Sequence, residues 1–415
     1  MKWTVLLCAL LLAPAALADH PGVEQGLVMQ EPLVANLVHR LPDVQNTFAD
    51  WESQHPGLVE RMQIGASTLG LPLETIRLTD ETVTKDKTRV YLDGGHHGNE
   101  YLGVELVMYY LESLLEDPGF LATHEVYATP MINPEGNTLD TRKNGNQVDV
   151  NRNYGFMWGG GGSSDLLLDF NYRGEAPFSE PEVLANAEFG RDIHPDLWIT
   201  MHTGVAEFYW PWGWTQNPAP DAAFFESLEE PFESATNGNV QAMQSAELYI
   251  AAGATDDWAY AELGIPAFTY EVHEDQFVPI YGQAVSSLIQ DQLNGLDLLV
   301  KNAAKIGGLA DLHVIGGDFH VYNAGWGPMY NVTVRAGEET LFLPALGADE
   351  MYEFDGLPAE NITVTYQSLA IETAPMRTAS FTADSIEPSA ESEESPGFAV
   401  LFAVVALALL TRRLQ

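Results

Sequence analysis

Between Glu31 and Ala304 the sequence alternates short apolar runs with amphipathic runs, and this limits the folds open to it. Thr88 to Asp93 has the composition of a strand. Leu102 to Leu115 carries apolar residues at spacings of three and four, the period of a helix facing a core. Leu197 to Met201 and Ala267 to Glu271 again have the composition of short buried strands. Strands alternating with helices predict an α/β domain built on a mixed or largely parallel sheet. The expectation is a mixed eight-stranded sheet flanked by helices, spanning residues 31–306.

From about Asp311 the pattern changes. His313-Val314-Ile315, Phe319 to Tyr322, Val332 to Val334 and Ile362 to Val364 are strand-like runs split by Gly, Pro and Asn. Such a series predicts a small all-β sandwich over residues 309–383. Residues 384–396, rich in Glu, Ser, Ala and Pro, have the composition of a disordered acidic linker. No internal repeat is present.

Both ends carry targeting signals. Lys2, the apolar stretch Trp3 to Ala13 and Ala16-Leu17-Ala18 follow the order of a secretory signal, with residues 1–18 removed. Ser395-Pro396-Gly397-Phe398, an apolar run to Leu410 and Arg412-Arg413 close the chain. Thirteen apolar residues reach roughly 20 Å as a helix, short of a ~30 Å hydrocarbon core. The Pro-Gly-Phe, apolar, Arg-Arg order resembles the sorting tail of archaeal surface proteins, which implies that residues 397–415 are removed and the protein attached to lipid at the cell surface; a short membrane anchor is the alternative. The chain is expected outside the cytoplasmic membrane.

Composition excludes some classes of function. With 59 acidic against 18 Lys plus Arg residues the formal net charge is -41, which repels nucleic-acid phosphates. The one cysteine, Cys8, lies in the signal segment, so thiol nucleophiles and Cys-bound zinc are not expected.

A chemical signal begins where the strand Thr88 to Asp93 runs into Gly94-Gly95-His96-His97-Gly98-Asn99-Glu100. His97 and Glu100, three residues apart at a helix entry, share one side of a turn. His96 has Asn99 three residues on and is read as a structural neighbour. A catalytic zinc takes three protein ligands and keeps one open position, and two histidines with a glutamate form one such set. His202, at the end of an apolar strand, is the third candidate.

Phe48 to Gly65, Asn133-Pro134-Glu135-Gly136, Asp149-Val150-Asn151-Arg152-Asn153, Tyr154 to Glu182, and Ala267-Phe268-Thr269-Tyr270-Glu271 follow one another in a set order. Through these blocks the chain from about Leu41 to Ile289 resembles the M14 family of zinc carboxypeptidases. The resemblance implies one zinc per catalytic domain on His97, Glu100 and His202. It places the carbonyl-polarising arginine at Arg142, in Thr141-Arg142-Lys143. Asn151 and Arg152 would clamp the substrate's terminal carboxylate, Tyr249 would close over the substrate, and Glu271 would be the catalytic carboxylate.

These roles suit the residue types. Arginine stays charged and binds carboxylates bidentately. Zinc acidifies its water, whose proton Glu271 can take and later hand to the leaving amine. Tyr249 to Trp258 resembles the members of the family that bind Lys or Arg, where the first Asp of Asp-Asp-Trp lies at the pocket base. Here that is Asp256, which implies a preference for C-terminal Lys or Arg.

The expected partners are peptide or protein C-termini, and a monomer is expected. A long activation segment before Leu41 is not expected. Three other readings stay open: a same-fold amidase on cell-wall or modified peptides, an inactive surface binding module, and adhesion through the β-module.

Overall fold

The computed structural model describes residues 38–274, 285–315, 318–354 and 361–382. The signal segment 1–18, the linker 384–396 and the tail 397–415 lie outside the described residues. The chain divides into two compact units, one within Met1–Ile306 with Leu369–Pro375 and one within Gly307–Ser368 with Met376–Gln415.

The first unit is built on one eight-stranded sheet. Its strands are β1 (Val59–Ala66), β2 (Pro72–Leu78), β3 (Thr88–Gly94), β4 (His124–Thr129), β5 (Leu197–His202), β6 (Ala206–Trp210), β7 (Gln241–Gln244) and β8 (Ala267–Val272). They lie in the order β1-β2-β4-β3-β5-β8-β6-β7. The centre, β4-β3-β5-β8, is parallel, while β1 and β2 add antiparallel strands at one side and β6 pairs antiparallel with β8. The mixed sheet is thus the one predicted.

The central strands are covered on both faces, which explains their nearly continuous apolar sequence. Every residue of Leu197–His202 is buried. Four main helices flank the sheet: α1 (Leu41–Gln54), α2 (Tyr101–Leu115), α3 (Pro181–Ile193) and α4 (Gln290–Lys301). Helix α2 is buried over most of its circumference, with Leu102, Leu106, Leu111 and Leu114 inside. Burying each such leucine contributes on the order of 1.5–3 kcal/mol. A Cβ on Gly103 would lie 2.9 Å from the Met201 carbonyl oxygen, so α2 runs directly against β5.

The glycine corner after β3 is set by space. A Cβ on Gly98 would lie 2.0 Å from the Gly136 carbonyl carbon, so only glycine passes there. Asn133 fastens the corner: its Nδ2 donates to the carbonyls of His96 (3.2 Å) and Arg142 (3.1 Å). Its Oδ1 accepts from the Gly136 amide at 2.8 Å, which caps the short helix Pro134–Leu139.

The second unit has two antiparallel sheets. One has the order β13-β10-β9, from β9 (Ala310–Ile315), β10 (Asp318–Asn323) and β13 (Met351–Phe354). The other has the order β12-β11-β14-β15, from β11 (Met329–Ala336), β12 (Glu339–Leu346), β14 (Asn361–Gln367) and β15 (Met376–Thr382). Phe319 and Val321 of the first share a core cluster with Val332, Val334, Ile362 and Val364 of the second. Two sheets over one shared core make the sandwich expected from the sequence. No helix among the described residues is long and apolar enough to cross a membrane.

Candidate metal centre

The site lies where β3, β5 and β8 end, at the carboxyl edge of the parallel strands, the usual ligand edge of such sheets. His97 follows β3, and Glu100 immediately precedes α2. His202 ends β5 and stands opposite Glu271 in the β5–β8 ladder. Sheet register thereby brings residues 69 positions apart to one spot.

His97, Glu100 and His202 are all buried, and one ligand atom from each lies within 4.8 Å of the others. The two Nδ1 atoms are 3.1 Å apart. Glu100 spans them, with Oε1 at 2.7 Å from His97 Nδ1 and Oε2 at 2.8 Å from His202 Nδ1. Burial alone would raise the Glu100 carboxyl, but His97 and His202 hold it well below the usual carboxylate range. Two imidazoles and a carboxylate converging at this spacing form a donor set suited to zinc. Among the described residues no other group of His, Cys, Asp or Glu converges in this way.

A second layer orients these ligands. Asp149 Oδ1 lies 3.0 Å from His97 Nε2, the nitrogen turned away from the cluster. Asp149 Oδ2 accepts from Arg142 Nε (3.1 Å) and Nη2 (2.8 Å). Asp149 is fully buried; burial would raise its carboxyl, but Arg142 and His97 hold it well below the usual range. Asp149 stands in the Asp149-Val150-Asn151-Arg152-Asn153 run, and nothing in that local pattern marks it as the partner of His97 and Arg142. His96 stays outside the cluster: its Nε2 lies 2.9 Å from Tyr154 Oη and 3.1 Å from Thr255 Oγ1.

Arg142 also reaches Glu100 Oε1, at 3.3 Å from Nη1. Arg142, Glu100, Tyr249 and Glu271 line one cavity of about 210 Å³, together with Asn99, Phe170, Val205 and Leu248. Glu271 Oε2 has no hydrogen-bond partner there. Burial first, then the charge of Glu100, pushes the Glu271 carboxyl up to about 8, against the pull of His202 and Arg142.

Asn151 and Arg152 sit on the single turn Val150–Arg152, capped by Asp149. Asn151 Nδ2 is 3.2 Å from His202 Nε2, and its Oδ1 accepts from the amide and hydroxyl of Thr255, both at 3.0 Å. Arg152 donates to the carbonyls of Gly162 (3.1 Å) and Asn151 (2.7 Å), with its guanidinium 5.9 Å from the Tyr249 ring centre. Tyr249 itself is half exposed. Asp256 is buried, burial raises its carboxyl, and its Oδ2 has no partner. Its neighbour Asp257 is spent on structure, accepting from the amides of Gly213 and Trp214.

Residues 44–290 match the family model of peptidase M14, zinc carboxypeptidase. The chain belongs to the M14 zinc carboxypeptidase family. Carboxypeptidase A2 of Rattus norvegicus is 25% identical to this M14 chain over 272 residues, covering 58% of this chain and 63% of the relative. The chain thus spans less than two thirds of that relative's length. Carboxypeptidase B of Astacus astacus is 27% identical over 265 residues, covering 57% of this chain and 86% of the relative. Among solved structures, carboxypeptidase A from Helicoverpa armigera superposes with a TM-score of 0.58 at 19% identity, covering 64% of this chain and 74% of that one. That likeness shows the fold alone. The zinc ligand triad of the M14 family is here His97, Glu100 and His202.

Proposed function

We propose that this protein is a metallocarboxypeptidase that removes the C-terminal residue of peptides, with preference for Lys or Arg. One observation carries the reading: Glu271 and Arg142 line one cavity with Glu100 of the His97–Glu100–His202 triad.

Zinc held by that triad supplies Lewis acidity and acidifies water. The chain's own residues do the rest. Glu271, with an unpartnered oxygen in the cavity it shares with Glu100, takes the proton of the attacking water and passes it to the departing amine. Arg142, fixed by Asp149, presents a guanidinium to the oxygen on which negative charge develops. Arg152, itself anchored by two carbonyls, is suited with Asn151 to grip the substrate's terminal carboxylate. Tyr249, half exposed beside Arg152, can cover the bound residue.

The preference for a basic residue rests on Asp256. A buried carboxylate oxygen without a partner is costly, and a cationic side chain offsets that cost. Matched peptides ending in Lys, Arg or Phe test this. Release of Lys and Arg should exceed release of Phe by at least about tenfold in kcat/KM, the lower end of discrimination by a side-chain pocket. Equal rates, or Phe fastest, would mean that Asp256 does not select the released residue.

A further inference from the structure

Beside the catalytic cavity the chain turns apolar side chains to solvent. Leu166, Leu167, Leu168 and Phe170 are 62%, 52%, 94% and 69% exposed. A single exposed leucine is ordinary, but four apolar side chains among five consecutive residues form a patch. They stand out in a chain of formal net charge -41.

The segment is held in place. Lys143 donates to the carbonyls of Leu167 and Asp169. The Asp169 amide donates to the Leu166 carbonyl at 2.9 Å, and the Ser164 hydroxyl donates to the Asp169 carboxylate. The amides of Ser164 and Arg173 close the base of the loop at 3.0 Å on Asn171 and Ser164 carbonyls. Polar groups are thus used to fix the loop, and the apolar side chains are left facing outward.

Its position gives the patch a use. The Arg142 guanidinium carbon lies 4.4 Å from the Phe170 ring centre. Phe170 lines the same cavity as Glu271, Tyr249 and Leu248. In the proposed reaction Arg142 faces the scissile carbonyl, and the departing residue lies toward Asn151 and Arg152. Phe170, one wall of that cavity beside Arg142, then lies within reach of the peptide preceding that bond, with the exposed leucines next to it in the chain.

We infer that Phe170 with Leu166–Leu168 forms a recognition ledge for apolar side chains at the penultimate or antepenultimate residue of the substrate. This rests on the carboxypeptidase reading and adds a substrate class to it. The occupant is the substrate's own upstream segment, because Phe170 joins the patch to the cavity within reach of that segment.

The test uses the full chain loaded with zinc and peptides that share one readily released C-terminal residue. The penultimate and antepenultimate positions are varied in turn among Leu, Phe, Ser and Asp. At one of these positions the wild type should favour Leu or Phe over Ser by about tenfold or more in kcat/KM, the lower end expected for an apolar contact. Phe170→Ala and Leu168→Asp should bring that ratio toward one, and Phe170→Leu should largely keep it. A wild-type ratio near one at both positions, or a ratio unmoved in folded, zinc-binding variants, would overturn the ledge while leaving the carboxypeptidase reading intact. Adsorption to phosphatidylcholine vesicles that Leu168→Asp abolishes, with the ratio unmoved, would also overturn it. Failure to hydrolyse any peptide would instead refute the reading on which the ledge rests.

Discussion

Asp149 shows how much of this site depends on a residue that is not a ligand. It fills both hydrogen-bonding positions that matter: His97 Nε2 at 3.0 Å and Arg142 Nη2 at 2.8 Å. A carboxylate behind a ligating histidine fixes the ring and raises its basicity, and such partners typically contribute 10–100-fold in metal affinity. Asp149→Asn should therefore weaken zinc binding by about 10–100-fold, measured by competition with a chromophoric chelator. Unchanged affinity would mean that His97 is positioned by packing alone. At this scale the sequence was informative where chemistry and spacing coincide. His97 and Glu100 are three apart, and His202 ends an apolar run. Asp149 and Phe170 gave no such signal. Their roles come from which side chains face them after folding, and no local pattern records that.

Among the elements, strands β3, β5 and β8 were legible because parallel strands buried on both faces read as continuous apolar runs. Strand β12 was not. It lies at a sheet edge, contains Pro344 and exposes Phe342, so its sequence has the marks of a loop. Helix α3 hid a different feature. Glu182 in its first turn is a carboxylate that is fully buried. It accepts from Asn144 Nδ2 at 2.6 Å and from the Thr68 amide at 3.0 Å, with Glu180 on the same Asn144 nitrogen at 2.7 Å. Burial pushes its carboxyl up to about 7, opposed by the Asn144 hydrogen bond and assisted by Glu135 and Glu180. An unfolded glutamate titrates near ~4.3, so the folded chain holds this proton more tightly. Stability from this group is then full below about 4.3 and is lost as pH rises toward 7. Glu182→Gln does not titrate. The melting temperature of the variant minus that of the wild type should grow between about pH 5 and pH 8 by calorimetry. Parallel melting curves across that range would place the charge elsewhere.

For the whole molecule, the change of composition near Asp311 announced a second, all-β unit, and its two sheets do share one apolar cluster. The order of the eight strands was not readable from composition, since β6 and β7 are short and join the sheet through pairings distant in sequence. In the proposed reaction the chain, through one zinc site, cuts only at free C-termini. The direct measurement takes the full chain, strips it with a chelator, restores zinc to one equivalent, and assays matched peptides with free and amidated C-termini. Hydrolysis should disappear on stripping and return with about one zinc per chain. The free acid should be cleaved and the amide should be at least about a hundredfold slower, because Arg152 loses its ionic partner. Equal cleavage of the two peptides, or full activity without metal, would contradict the proposed reaction.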